Sequence, residues 1–169
     1  SRNRYESYFL DELFPTVQTI FPASPARAVA GLSMGGHGAI TLAWKNPGLF
    51  VSVSSMSGVV DLTRCRLRGS LTRLLGQYDE NPAAWEAHSA QHLLSKNPTP
   101  FEGIPLRVSC GDSDYYSESN RDFSKAIQRS GVEHVFDESP GAHSWDYWTA
   151  QLPIHVGWHT KQLEGHRVI

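Results

Sequence analysis

Between residues 27 and 48 three pieces follow one another without a linker. Arg27-Ala-Val-Ala-Gly31 is a short apolar run that suits a buried strand. It ends in Gly31-Leu32-Ser33-Met34-Gly35, and a helical stretch of small residues then runs to about Trp44 before Asn46-Pro47-Gly48 closes it. A buried strand that turns at once into a helix must pack in layers, because the helix buries its apolar stripe by lying across a sheet. The rest of the sequence repeats the alternation. Residues 4–21 carry Tyr5, Phe9, Leu13 and Val17 at four-residue spacing, with Leu10, Phe14 and Phe21 beside them, which predicts an amphipathic helix with a broad apolar face. Further strands are expected over 50–54, 104–110 and 132–136, and helices over 120–129 and 144–152. Residues 58–103 are the least regular part. Short helices are expected there over 71–75 and from Asn81-Pro82, where Asn81 caps and Pro82 occupies the first turn. The pattern predicts one α/β domain over residues 1–169, with a mostly parallel sheet and helices on both faces. In that architecture active residues lie just beyond the carboxyl ends of strands.

A serine on a sharp strand-to-helix turn takes a strained backbone conformation that lifts its hydroxyl clear of the sheet. Ser33 is therefore read as a nucleophile. Gly31 and Gly35 leave room for the turn, and Gly36, Gly38 and Ala39 let the helix approach the sheet closely. The first N–H groups of the helix converge on the same spot, which makes the Met34 N–H an oxyanion donor. His37, one turn further on, would aim poorly at the hydroxyl from the same helix and is read as structural. Where a Ser-Asp-His triad is built on such a sheet, its members follow in that order along the chain. Of eight histidines, His143 fits the base best, since it follows the last strand and sits in a turn marked by Pro140-Gly141. His134 falls inside a strand, and His88, His92, His155, His159 and His166 read as surface residues of helical or terminal stretches. For the acid, Asp112 and Asp114 both follow the strand over 104–110. Strand position selects this pair over Asp61, Asp79, Asp122, Asp137 and Asp146 without choosing between its members, and the other one serves the turn. No pair of histidines has metal-ligand spacing with a nearby carboxylate, so neither a metal nor a cofactor is expected.

The formal net charge of −2 gives no electrostatic case for nucleic acid or an anionic membrane surface. Arg64, Arg66 and Arg68 read as a solvated basic face. No apolar run approaches the ~20 residues that span a bilayer, and Ser1–Glu6 lacks the shape of a signal peptide. Of the two cysteines, Cys110 ends an apolar run and is expected to be a buried free thiol. The compartment stays open, cytoplasmic or secreted.

Three segments together resemble the esterase D, or putative-esterase, family of α/β hydrolases: Ala30-Gly-Leu-Ser-Met-Gly-Gly-His-Gly-Ala39, Cys110-Gly-Asp-Ser-Asp114 and Pro140-Gly-Ala-His-Ser-Trp-Asp-Tyr-Trp148. The family includes S-formylglutathione hydrolase, tributyrin-type esterases, feruloyl and acetyl-xylan esterases, and the mycolyltransferases. The resemblance implies the α/β-hydrolase fold, with Ser33 as nucleophile and His143 as base. It also implies Asp114 as acid, because the family's acid lies three residues after the glycine that ends the strand. The implied activity is hydrolysis of small acyl or aryl esters, including sugar esters of the acetyl-xylan or feruloyl type, through an acyl-enzyme. Acyl transfer by the same triad, S-formylglutathione hydrolysis and a truncated, non-catalytic remnant are the alternatives. Residues 58–103 occupy the place where the fold carries substrate-covering insertions, and Trp85, Leu74, Leu75 and Leu94 are candidates to line a pocket, with Trp145 the better one. One departure stands out. Family members carry strands and a second oxyanion loop ahead of the helix at residue 4, so the chain is expected to be the carboxyl-terminal portion of a longer enzyme. By that expectation the loss of the second donor costs about 10²–10³ in rate. The Ser33 strand would then be a bare sheet edge, prone to self-association.

Overall fold

The computed structural model describes residues 5–22, 24–65 and 68–166, and leaves the side chain of Arg68 undescribed. Arg66, part of the expected basic face, lies outside the described residues, as does Arg4 at the start of the helix expected over 4–21. Four strands, β1 (Ala28–Leu32), β2 (Ser52–Met56), β3 (Leu106–Gly111) and β4 (His134–Ser139), form one sheet in the order β1-β2-β3-β4. Every pair is parallel, with Val29 opposite Val53, Ser55 opposite Val108, and Val108 opposite Phe136. Parallel neighbours need crossovers, which the helices supply. Helix α3 (Met34–Lys45) joins β1 to β2, and α7 (Ser117–Ser130) joins β3 to β4. Between β2 and β3 run α4 (Arg68–Leu75), α5 (Pro82–His88) and α6 (Ala90–Lys96), and α8 (Trp145–Glu164) closes the fold. Ahead of β1, a continuous helical run comprises α1 (Tyr5–Ser7), a π-helical stretch Tyr8–Leu13 and α2 (Phe14–Ile20).

Successive strand residues face opposite ways, and the two faces of this sheet differ in chemistry. Val53, Leu106 and Val108 meet Ile40 of α3, Leu94 of α6, and Phe123 and Ile127 of α7 in the main core. Each fully buried side chain of this size contributes about 1.5–3 kcal/mol. The opposite face carries Ser52, Ser54 and Ser109, all buried, and α8 covers it with His155 and His159. His159 bridges Ser52 Oγ and Ser54 Oγ at 2.7 Å each, and His155 Nε2 lies 2.9 Å from Ser109 Oγ. Two expected surface histidines are therefore interior anchors, because α8 presents them to a serine-lined sheet. Those anchors also carry α8 through Pro153, well past the expected end near residue 152.

The segment between β2 and β3 divides in two. Helix α6 packs against α3 and α7 in the core layer, whereas Val59, Leu62, Cys65, Leu71, Trp85 and Tyr116 form a separate apolar cluster. Asn81 does not cap α5 with its side chain; its Nδ2 donates to the Leu75 carbonyl instead. Both cysteines are buried, and Cys110 is a free thiol.

Candidate active site

Helix α3 starts at Met34 directly after β1, so Ser33 alone makes the turn. It adopts φ +53° and ψ −120°, a region that costs a non-glycine residue of order 1–3 kcal/mol. Three backbone hydrogen bonds hold it there: the Ser33 N–H donates to the Met56 carbonyl at 2.9 Å, and the Ser33 carbonyl accepts the Val59 N–H and the His37 N–H, each at 3.2 Å. Met56 and Val59 come from the end of β2 and the residues after it, where Ser57 also has a positive φ of 49°. A Cβ on Gly31 would lie 2.1 Å from the Gly35 carbonyl oxygen, and one on Gly36 would lie 2.4 Å from Ser55 Oγ. The turn therefore requires glycine at both positions. Gly35 and Gly38 face open space, so the room for the turn rests on Gly31, and the close approach expected of Gly36, Gly38 and Ala39 rests on Gly36 and the buried Ala39. Met34 is the first residue of α3, and its N–H belongs to the helix-start amides that lack an intrahelical acceptor.

Ser33 Oγ lies 2.9 Å from His143 Nε2, and His143 Nδ1 lies 2.9 Å from Asp114 Oδ2. A carboxylate only accepts, so Nδ1 carries the proton and donates to Asp114. The bare Nε2 then accepts the Ser33 hydroxyl proton. The Asp114 side chain is fully buried and that of His143 only 10% exposed, which keeps the pair out of competing water. Asp114 Oδ1 accepts the Tyr116 N–H at 2.8 Å. All three residues follow strand ends: Ser33 after β1, Asp114 after β3 and His143 after β4. The structure thus brings together three of the residues singled out from the sequence. Asp112 has another task. It is exposed, and its Oδ1 accepts from the Ser113 hydroxyl at 3.0 Å and the Gly141 N–H at 3.2 Å, so it ties the loop that carries His143. Those two donors, Ser113 first, hold its carboxyl below the usual range. The same loop rests so closely on β3 that a Cβ on Gly111 would lie 2.2 Å from the Gly141 carbonyl oxygen.

Ser109 and His155 match the Ser33–His143 distance but share none of its access. Both are fully buried, and the second ring nitrogen of His155 has no hydrogen-bond partner among the described residues. His37 donates from Nε2 to the His88 carbonyl at 2.7 Å, tying α3 to the corner after α5, and burial lowers its pKa. Trp85 is fully buried in the separate cluster, with its Nε1 donating to the Gly76 carbonyl, so it packs as core. Trp145 is 71% exposed and meets Trp148 edge-on, with Trp148 in turn against His143. Among the described residues no group of histidine, cysteine and carboxylate side chains could hold a metal ion. No helix among them is long and apolar enough to cross a membrane. A shallow concavity lined by Pro98, Phe101, Ile104 and Val132 sits at the opposite, amino-terminal ends of β3 and β4.

Sequence reasoning left out the ring system around the imidazole. Tyr115, Tyr116 and Trp148 all contact His143. The signal was present in the Tyr-Tyr that follows Asp114 and in the spacing of the two tryptophans after His143.

Comparison with known proteins gives three kinds of likeness. A family model described as putative esterase matches residues 1–159. The chain is 31% identical over 167 residues to S-formylglutathione hydrolase of Bos taurus, a match covering 95% of this chain and 57% of that protein. It is 25% identical over 182 residues to acetyl esterase of Caldicellulosiruptor saccharolyticus, covering 92% and 65% respectively. Among solved structures it superposes on a ferulic acid esterase with a TM-score of 0.80 and 25% identity, covering 94% of this chain and 61% of that one. The chain spans about three-fifths of the length of these relatives. The four parallel strands and their helices are those of the α/β-hydrolase esterases.

Proposed function

The chain belongs to the putative-esterase family, and from that membership we propose that it carries the catalytic residues of a serine ester hydrolase. The observation that supports this most is the unbroken path from Ser33 Oγ through His143 to the buried Asp114 carboxylate, partly exposed at the serine end. In this reading His143 Nε2 takes the proton of Ser33 as Oγ attacks the carbonyl carbon of a small acyl or aryl ester. Asp114 holds the Nδ1 tautomer and stabilises the imidazolium. The oxyanion develops beside the start of α3, where the Met34 N–H and the positive helix end favour negative charge. His143 then returns the proton to the leaving alcohol, and an acyl-Ser33 remains. Water, deprotonated by the same nitrogen, releases the acid.

Trp145 supports an apolar wall at the mouth of the site, on the side of the acyl or alcohol group. The edge of β1 that no strand covers among the described residues supports a second property, self-association of the chain through strand pairing. The first test is labelling with a fluorophosphonate probe. One probe molecule per chain is expected on Ser33, with none in Ser33→Ala; labelling that survives in the variant would overturn the assignment. Hydrolysis of 4-nitrophenyl acetate should fall in the same variant by on the order of 10³-fold or more.

A further inference from the structure

The imidazole of His143 sits in an aromatic setting with one distinctive member. Trp148 and Tyr116 meet it edge-on, at 87° and 76°, and both are buried core residues. Tyr115 differs. Its ring lies over the imidazole with centroids 4.5 Å apart and planes inclined by only 35°. It is also 47% exposed, so the interior does not depend on it for packing.

We propose that Tyr115 is a positioning residue for His143, its π-face covering the imidazole and attracting the positive charge that forms there during proton transfer. The proposal rests on the hydrolase reading above. When Nε2 takes the Ser33 proton the ring becomes a cation, and an aromatic face within about 6 Å attracts a cation more than a neutral ring. The contact is therefore stronger in the transition state than in the resting enzyme and should act on kcat rather than on binding. The stack also opposes rotation of the imidazole about the His143–Asp114 hydrogen bond, which alone leaves the ring free to swing away from Ser33 Oγ. The ring face carries this role, whatever the phenol oxygen contacts.

The experiment compares Tyr115→Phe, which keeps a π-face, with Tyr115→Leu, which keeps only apolar bulk. Wild type and both variants are assayed with 4-nitrophenyl acetate, and their fluorophosphonate labelling rates are measured. Tyr115→Leu is expected to lower kcat and the labelling rate about three- to tenfold at unchanged KM, and Tyr115→Phe to stay within about twofold of wild type. A raised KM at constant kcat would overturn the proposal by making the ring a substrate wall. Equal loss in both variants would overturn it by placing the role in the hydroxyl. A readout independent of turnover comes from the imidazole proton resonances of His143 in a Ser33→Ala background. They should lose an aromatic ring-current shift in Tyr115→Leu and keep it in Tyr115→Phe. Resonances that do not move would remove the stack itself. A wild type that takes no probe while the ring-current shift is present would instead overturn the hydrolase reading, and with it the transition-state role given to Tyr115.

Discussion

Asp112 and Asp114 are two residues apart, and burial separates their roles. Asp114 is enclosed and bonded to the imidazole, whereas Asp112 is exposed and bonded to the loop backbone. Asp114→Asn should lower kcat on the order of 10³- to 10⁴-fold, because an amide no longer holds the required tautomer. Asp112→Asn should change it less than about tenfold, and steady-state kinetics on the pair will show whether the ranking holds. Strand position in the sequence reached both aspartates and could not divide them, since nothing in Cys-Gly-Asp-Ser-Asp states which carboxylate is buried. The glycines of the turn divide in the same way. Gly31→Ala drives a Cβ into backbone at 2.1 Å and should destabilise the fold by about 2–4 kcal/mol. Gly35→Ala meets nothing within 4 Å and lies in a helix, so it should be neutral or stabilising by up to about 1 kcal/mol. Urea denaturation of the two variants reads the difference directly. The pentapeptide shows both glycines and hides that only one is sterically required.

Among the elements, the four strands were legible to within about three residues at each end, because apolar residues recur in each expected stretch and turn residues bound it, although β2 is rich in serine and β4 ends on polar residues. Helix α8 was harder. Its interior proline argued for an early end, and its apolar period is weak because the face it buries is polar. His155 and His159 bond to serines, a partnership between separate elements that no local pattern can show. Burial pushes the pKa of His155 down to about 3 and that of His159 down to about 4, from an ordinary 6.5. Below pH 6.5 the unfolded chain therefore binds protons that the folded chain refuses, and stability rises with pH. It should be fully present above about pH 6.5, drain as the pH falls towards about 4, and level off for these two groups below about 3. Urea midpoints at intervals from pH 7 to pH 3.5 should trace that decline, with a shallower slope in His159→Asn. An equal slope in the variant would move the acid sensitivity elsewhere. The helical run before β1 departs from expectation in another way. Its apolar face is present, but Tyr5, Ile20 and Phe21 are more than half exposed, and only Leu10, Leu13 and Phe14 are partly covered. The π-helical stretch ends just before Pro15, whose missing N–H interrupts the ordinary ladder.

For the molecule as a whole, the sheet sets the spacing of the site. Ser33 follows β1, while Asp114 and His143 follow β3 and β4, so β2 lies between the proposed nucleophile and its proposed partners. That separation is why the sequence could place the three residues in order along the chain without fixing their distances. The outer side of β1 bears no strand among the described residues, and Ala30 at its middle is exposed. Light scattering over a concentration series should show association of the wild-type chain, reduced in Ala30→Lys because a charge on a strand edge opposes pairing. Association unchanged by the lysine would point to another surface. The positive φ of Ser33 has a further consequence. Its strain is retained from a neighbouring segment by the Met56 carbonyl and the Val59 amide, beside the His37 amide of its own helix. Opening the two bonds to the segment after β2 frees the serine from its neighbour and lets it relax while α3 and the rest of the structure stay intact. Ageing preparations should accordingly split into two populations with identical circular dichroism, one that takes the probe and one that is silent. The silent fraction should grow on mild warming, well below the melting transition.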